Sequence, residues 1–202
     1  MINLFTAWYQ CHDEERQKEL DFCRETNENH PLIDNYIFWE DRFTYYDFFE
    51  ACKDYPDHIN ILANGDIYFN DTLSYVTGIS ARECYALTRW EEEGNSIVPF
   101  ESKHKYNKYA KARHSQDVWI FRGVPNRIYG AFHLGIPGCD NRIAYEIMRA
   151  GYLLTNPSLT IQAIHKHKEE ARNYNIPEGV PKQVPKPWKW VEQSKLITRR
   201  AV

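Results

Sequence analysis

Ile59 to Asp71 reads Ile-Asn-Ile-Leu-Ala-Asn-Gly-Asp-Ile-Tyr-Phe-Asn-Asp. Ile59, Ile61 and Leu62 form a short β-branched and aliphatic run, as expected of a strand buried on both faces. The run breaks at Asn64-Gly65-Asp66, and apolar Ile67-Tyr68-Phe69 follows at once. A buried strand that ends in such a turn carries its carboxylate to the C-terminal edge of the sheet, where ligands bind in open α/β folds. Asp66 can there hold a hard divalent cation, while Asn64 and Gly65 let a phosphorylated ligand approach the backbone. The same triplet is also ordinary chain-reversing chemistry, so the rest of the chain has to decide between the two.

Upstream, Ile2 to Tyr9 reads as a buried first strand, and Gln10 to Asp13 as a polar turn. Glu14 to Asn27 reads as a helix with acids in its first turn. At 100° per residue, Arg16, Leu20, Cys23 and Asn27 share the face that must pack on the sheet. Arg16 then either sits at the mouth of the first strand or snorkels from the rim of the core. Ile33 to Trp39 is a second strand ending in Glu40-Asp41-Arg42, and Thr44 to Lys53 is a short helix. The order β-α-β-α-β predicts an α/β fold with a mostly parallel central sheet, flanked by helices through right-handed crossovers. No G-x-G-x-x-G follows the first strand and no G-x-x-x-x-G-K-[ST] occurs, which excludes an ordinary dinucleotide fold and a P-loop enzyme.

Downstream, Asp71 to Val76 reads as a short helix and Cys84 to Trp90 as a strand. A long polar segment then runs from Glu91 to His114. Its second half interleaves Lys103, Lys105, Lys108, Lys111 and Arg113 with Tyr106 and Tyr109, which fits a solvated surface or a flap over an anionic ligand. Ser115-Gln116-Asp117 leads into a strand from Val118 to Phe121. Phe132 to Asp140 is a Gly/Pro-punctuated loop that delivers Asp140 to the start of a helix, where aspartate also serves as an N-cap. Ile143, Ala144, Ile147 and Met148 give that helix its buried face, and Gly151 is a C′ stop. Tyr152 to Leu154 and Leu159 to His167 read as extended. Alternation along the latter puts Ile161, Ala163, His165 and His167 on one face, so the two histidines either meet at a metal or are two polar residues near a strand end. Pro177, Pro181, Pro185 and Pro187 make the tail an extended arm, giving one domain over residues 1–175 and an arm over 176–202.

Composition sets the outer limits. The 202 residues are 43% hydrophobic and 26% charged, enough for one core and too apolar for disorder. A formal charge of −3 gives no overall attraction to nucleic acid or to an anionic membrane. No apolar run approaches the roughly 18 residues of a membrane span. Five widely spaced cysteines without a C-x-x-C point to thiols in a reducing compartment, hence a cytoplasmic protein.

With these pieces in order, residues from Ile2 to about Tyr174 resemble a small single-domain GT-A glycosyltransferase, the class that uses nucleotide-sugar donors. The resemblance is carried by Ala63-Asn64-Gly65-Asp66-Ile67-Tyr68-Phe69, Leu87-Thr88-Arg89-Trp90, Ser115-Gln116-Asp117-Val118-Trp119, Gly135-Ile136-Pro137-Gly138-Cys139-Asp140-Asn141-Arg142 and His165-Lys166-His167. Arg16-x-x-Glu19-x-x-x-Cys23 with Asn27 is similar to the first helix of such enzymes. It implies a GT-A-like (Rossmann-like) sheet with a small antiparallel acceptor-side part. In the family a D-x-D motif binds Mn²⁺ or Mg²⁺ across the two phosphates of the donor. Here Asn64 replaces the first acid, so Asp66 needs a second ligand, for which His165 and His167 match the family's late histidine. Oxygen-plus-imidazole ligation suits Mn²⁺ better than Mg²⁺. By the same resemblance Asp140 is the base for the acceptor hydroxyl in an inverting transfer, and Asp117 is the alternative base or orients the acceptor. Thr6, Arg16 and Asp41 would line the nucleotide pocket, and Arg89 would contact phosphate or acceptor. The expected partners are a nucleotide-sugar donor and a glycan or other hydroxyl acceptor. A nucleotidyltransferase reading is weakened by the absence of glycine from Gln10-Cys11-His12-Asp13. The Asn64 departure leaves room for a catalytically inactive nucleotide-sugar or glycan-binding module.

Overall fold

A computed structural model describes residues 1–100, 115–166 and 180–196. His167 and the basic segment from Lys103 to Arg113 lie outside the described residues.

The first half follows its hydrophobic pattern. β1 (Ile2–Ala7), α1 (Glu14–Glu28), β2 (Asn35–Trp39), α2 (Tyr45–Ala51) and β3 (Ile59–Ala63) alternate as expected. β1 pairs in parallel with β2 on one side and with β3 on the other. Asp13 caps α1 by accepting from Arg16 N, and Thr44 with Asp47 forms a capping box at α2. α1 buries Arg16, Leu20, Cys23 and Asn27, the face its periodicity marks. The second strand starts at Asn35 rather than Ile33, because His30 to Asp34 form a turn closed by Ile33 N donating to His30 O.

Beyond β4 (Ile67–Phe69) the chain departs from a simple parallel progression. β5 (Glu83–Leu87), β8 (Val118–Arg122) and β9 (Leu153–Thr155) complete a six-stranded sheet in the order β2-β1-β3-β8-β5-β9. β8 runs antiparallel to both its neighbours, β3 and β5, so five strands share one direction and one is reversed. The expected strand from Cys84 to Trp90 is two elements: it breaks at Thr88-Arg89, and Trp90 opens β6 (Trp90–Glu93) in a different sheet. The start of the expected polar loop is likewise a hairpin of β6 with β7 (Ser96–Pro99), reversed at Gly94 with φ +62°. β10 (Ala163–His165) pairs antiparallel with β4 and parallel with β6, giving a four-stranded sheet ordered β4-β10-β6-β7.

Alternation along the central strands separates two cores. Leu62, Ala86, Trp119 and Phe121 face α2 and α3 (Cys139–Arg149), whereas Ile61, Ala63, Leu87, Val118 and Ile120 face the small sheet through Ile67, Phe69 and Ala163. α3 buries Ile143, Ala144 and Ile147, but Met148, in the last turn of the helix, is exposed. Its N-cap is Gly138 rather than Asp140, which is the second residue of the helix. Gly151 follows the helix at φ +88°, as its C′ reading requires. Val180 to Leu196 has no regular secondary structure and lies against the domain: Val184 and Val191 are buried, and Lys189 N donates to Asn141 O at 2.8 Å. Among the described residues no helix is long and apolar enough to cross a membrane.

Candidate active site

The turn after β3 is pinned on two sides. Ile67 N donates to Asn64 O at 3.1 Å, and Asn64 N donates to Asp117 O at 3.1 Å. A Cβ at Gly65 would stand 2.3 Å from the Ala7 carbonyl oxygen, so glycine is required by the close approach of this turn to the end of β1. That carbonyl occupies the side of Gly65 where a side chain would project. The Asn64 amide is also engaged, its Nδ2 donating to Asp117 Oδ1 at 3.0 Å.

Asp66 is the hub of a charged cluster. Its Oδ2 accepts from Arg16 Nη2 at 2.5 Å and faces His165 Nε2 at 3.2 Å. Arg16 also donates to Glu19 Oε2 at 2.9 Å. The register of β10 explains the arrival of His165: it lies opposite Ile67 on one side and Glu91 on the other. His165 Nδ1 stands 3.1 Å from Glu91 Oε2, and Glu91 Oε1 accepts from Arg89 Nε at 2.5 Å. Arg89 continues to Ser115 Oγ at 3.1 Å and to Asp117 Oδ2 at 3.4 Å. Residues from α1, the β3–β4 turn, β6, the entry to β8 and β10 thus join in one chain of charge at the C-terminal edge of the parallel strands.

The electrostatics follow from this geometry. Burial alone would raise the Asp66 carboxyl, but His165 and Arg16 hold it well below the usual carboxylate range. Burial would lower the His165 imidazole, yet Asp66 and Glu91 raise it to about 9. Asp140 behaves in the opposite way. Burial and the charge of Asp117 raise its carboxyl to about 7, against the contrary pull of the Cys139 thiol, Arg89 and the Gln116 backbone N–H. Only the Asp140 carboxyl is thereby brought near neutral pH, where a group can exchange a proton.

Of the residues singled out in the sequence, Arg16, Asn64, Asp66, Arg89, Asp117, Asp140 and His165 come together here. Thr6 is buried at the end of β1 and takes no part in the charged chain, its Oγ1 lying 3.4 Å from Ala7 O. Asp41 is exposed beyond the end of β2, outside the cluster. Glu19, Glu91 and Ser115 belong to the chain of charge and were not anticipated as site residues. For Glu91 a signal exists in Glu91 to Val98, where Gly94-Asn95 between extended residues marks a hairpin. Nothing local marks which strand that hairpin pairs with.

The donor chemistry fits a divalent cation in one way. Asp66 and His165 Nε2 face each other, while Glu91 holds the opposite ring nitrogen, as an orienting carboxylate does for an imidazole ligand. Because His165 meets its two carboxylates from opposite ring edges, they cannot share one ion with it. Among the described residues no group of three or more His, Cys, Asp or Glu side chains is placed to hold a metal. Asp66 and His165 are the two side chains here that could hold a cation, and both are already paired, Asp66 with Arg16 and His165 with Asp66 and Glu91. No protein-family model, curated protein or solved structure matches this chain, so the reading of the site rests on its own residues.

Proposed function

We propose that this chain is a GT-A-type glycosyltransferase, moving a sugar from a nucleoside-diphosphate-sugar donor to an acceptor hydroxyl with inversion. The observation that carries the reading is the convergence of Asp66, Asp117 and Asp140 on one sheet edge, with the Asp140 carboxyl raised to about 7 beside Asp117.

In this reading Asp140, ionised, accepts the proton of the acceptor hydroxyl as that oxygen bonds to the anomeric carbon. The bond from that carbon to the donor's diphosphate oxygen breaks, and its electron pair leaves with the diphosphate. Asp117, held by Asn64 and Arg89, orients the acceptor and keeps the Asp140 carboxyl basic. Asp66 and His165 would hold Mn²⁺ or Mg²⁺, with Glu91 fixing the His165 ring. A bound ion would neutralise the charge developing on the leaving diphosphate. Arg16, already close to Asp66, supplies a fixed positive charge at the same place.

The test is hydrolysis of a panel of nucleotide sugars with Mn²⁺, Mg²⁺ or chelator, using native protein, Asp66→Ala and Asp140→Asn. Cleavage of one donor that needs both the metal and Asp66 supports the reading, and transfer to an acceptor should then need Asp140. A second reading, a catalytically inactive nucleotide-sugar or glycan-binding module, is favoured by the pairing of Asp66 with Arg16 and His165, which leaves its charge satisfied without an ion. A melting-temperature rise with nucleoside diphosphate that is indifferent to Mn²⁺, without donor cleavage, selects that module.

A further inference from the structure

We propose that the C-terminal arm sets the position of Asp140, with Trp188 as the positioning residue that holds the start of α3. The arm grips the chain on both sides of this aspartate. Val184 N donates to Pro137 O at 2.9 Å, three residues before Asp140. Trp188 lies against Gly138, two residues before it: a Cβ there would stand 3.2 Å from Trp188 Cζ2 and 3.1 Å from Val184 O. Lys189 N donates to Asn141 O at 2.8 Å, one residue after Asp140. Arg142 Nη1, two residues after, donates to Pro185 O at 3.2 Å and to Lys186 O at 3.3 Å.

The start of α3 needs such support. Its N-cap is Gly138 at φ +83°, with no side chain to close the first turn. Glycine leaves the backbone free to adopt that angle and equally free to leave it, and no capping hydrogen bond opposes the change. The indole supplies a flat surface against the bare Cα. Its Nε1 donates to Val184 O at 3.1 Å, the carbonyl that also approaches Gly138, so the ring and the arm backbone form one wall.

The other end of the arm is tied to the opposite side of the site. Val191 O accepts from Asn156 Nδ2 at 3.1 Å, and Ser194 N donates to Asn156 O at 2.7 Å. Asn156 is buried and reaches Thr88 twice, with Nδ2 donating to Thr88 Oγ1 at 2.9 Å and Oδ1 accepting from Thr88 N at 3.2 Å. Thr88 Oγ1 in turn donates to Ser115 O at 2.8 Å, beside Arg89 and Asp117. One stretch of chain therefore fixes Asp140 relative to Asp117. Loosening it at Trp188 releases the Asp140 end alone. The role of Asp140 as base rests on the transferase reading, whereas its placement by the arm rests on these contacts.

The test follows the Asp140 carboxyl directly, in the full chain with ¹³C-carboxyl-labelled aspartate and chelator present, Asp140→Asn identifying the signal. The groups that act on this carboxyl, Asp117, Arg89, the Cys139 thiol and the Gln116 N–H, are kept in every other variant. In the wild type the signal should titrate near 7. In Trp188→Ala its midpoint should fall by at least about one pH unit toward the ordinary aspartate range, as the loop moves into water and away from Asp117. Trp188→Phe, which keeps a flat ring for Gly138, should titrate as the wild type does. Gly151→Ala, at the far end of α3 with φ +88° and nothing within 4 Å of its Cβ, strains the helix without touching the arm and should leave the midpoint in place. If Trp188→Ala does not fold, Trp188→Leu is read in its stead. A wild-type midpoint in the ordinary range overturns the proposal, as does a midpoint unchanged in Trp188→Ala. A fall as large in Trp188→Phe or in Gly151→Ala overturns it too, because neither ring packing nor the arm would then be the cause. The nucleotide-sugar panel is run alongside. Where a donor is turned over, Trp188→Ala should lower kcat at least about tenfold with KM for the donor kept. Absence of turnover by the wild type, with the carboxyl shift intact, removes the base assignment and leaves the positioning.

Discussion

Replacing Gly65 by alanine tests whether the site is built on a fixed backbone contact. The new Cβ would stand 2.3 Å from Ala7 O and 3.6 Å from Leu20 Cδ2. The first neighbour is backbone at the end of β1, so no side-chain rotation relieves it. To reach 3.0 Å, below which such contacts are essentially never found, the turn must withdraw by about 0.7 Å. Strain of this kind costs about 1–3 kcal/mol, and for a chain of this length each kcal/mol lowers Tm by about 2–4 °C. A fall of roughly 2–12 °C in thermal unfolding is the expected outcome. Withdrawal also carries Asp66 away from Arg16, which it meets at 2.5 Å. Sites need placement to within about 0.5 Å, so donor hydrolysis should drop at least about tenfold. Gly78→Ala is the control, since a Cβ there meets nothing within 4 Å and the change should stay within about 0.5 kcal/mol. A Gly65→Ala protein that melts with the Gly78→Ala control and keeps its donor activity would refute the reasoning.

Three further outcomes follow from the same geometry. With the Asp140 carboxyl raised to about 7, transfer should rise with pH through about 7 as the base ionises, and Asp140→Asn should lose about 10²–10⁴-fold in kcat. The stability sign is the reverse: the native state holds this proton more tightly than the unfolded chain, so its contribution is present at low pH and is lost as pH rises toward 7. Urea unfolding of Asp140→Asn across that range should show a flatter pH dependence than the wild type. Glu91→Gln should weaken Mn²⁺ binding about 10–100-fold by calorimetry while leaving the fold intact, because it removes the carboxylate charge that makes the His165 ring a stronger ligand; unchanged affinity counts against Glu91 as its supporting group. Ile61→Ala, at a fully buried central position of β3, should cost about 2–5 kcal/mol in urea unfolding, and a cost below 1 kcal/mol would mean that the core closes over the gap.

Much of the front half was legible because its signals are local. Ile59 to Ala63 is apolar but for Asn60, and both core clusters claim its residues. The Arg16, Leu20, Cys23 and Asn27 stripe is a matter of helical period, and that face is the buried one. The reversed strand β8 was not legible, because Val118 to Phe121 has the same apolar character whichever way it runs. Nor was the break at Thr88-Arg89, where one strand's residues continue into another sheet without a proline or glycine to mark the change. Met148 shows the limit of the periodic argument: it lies close to the stripe of Ile143 and Ile147, yet the end of α3 leaves it exposed.

The site divides along the same line. By itself the sequence determined that an acidic turn follows a buried central strand, that Arg16 lies on the sheet-facing side of the first helix, and that Asp140 opens a helix after a Gly/Pro loop. These depend on neighbours a few residues away, whose periodicity and turn chemistry are written in order along the chain. Only the tertiary structure decided that Asp66 meets Arg16 and His165, that Glu91 rather than a second turn acid completes the link to Arg89, and that Asp117 raises Asp140. Those partners are up to 99 positions apart. Charge attraction acts through space and is indifferent to separation along the chain, so strand order and register had to bring the groups together before their chemistry could be read.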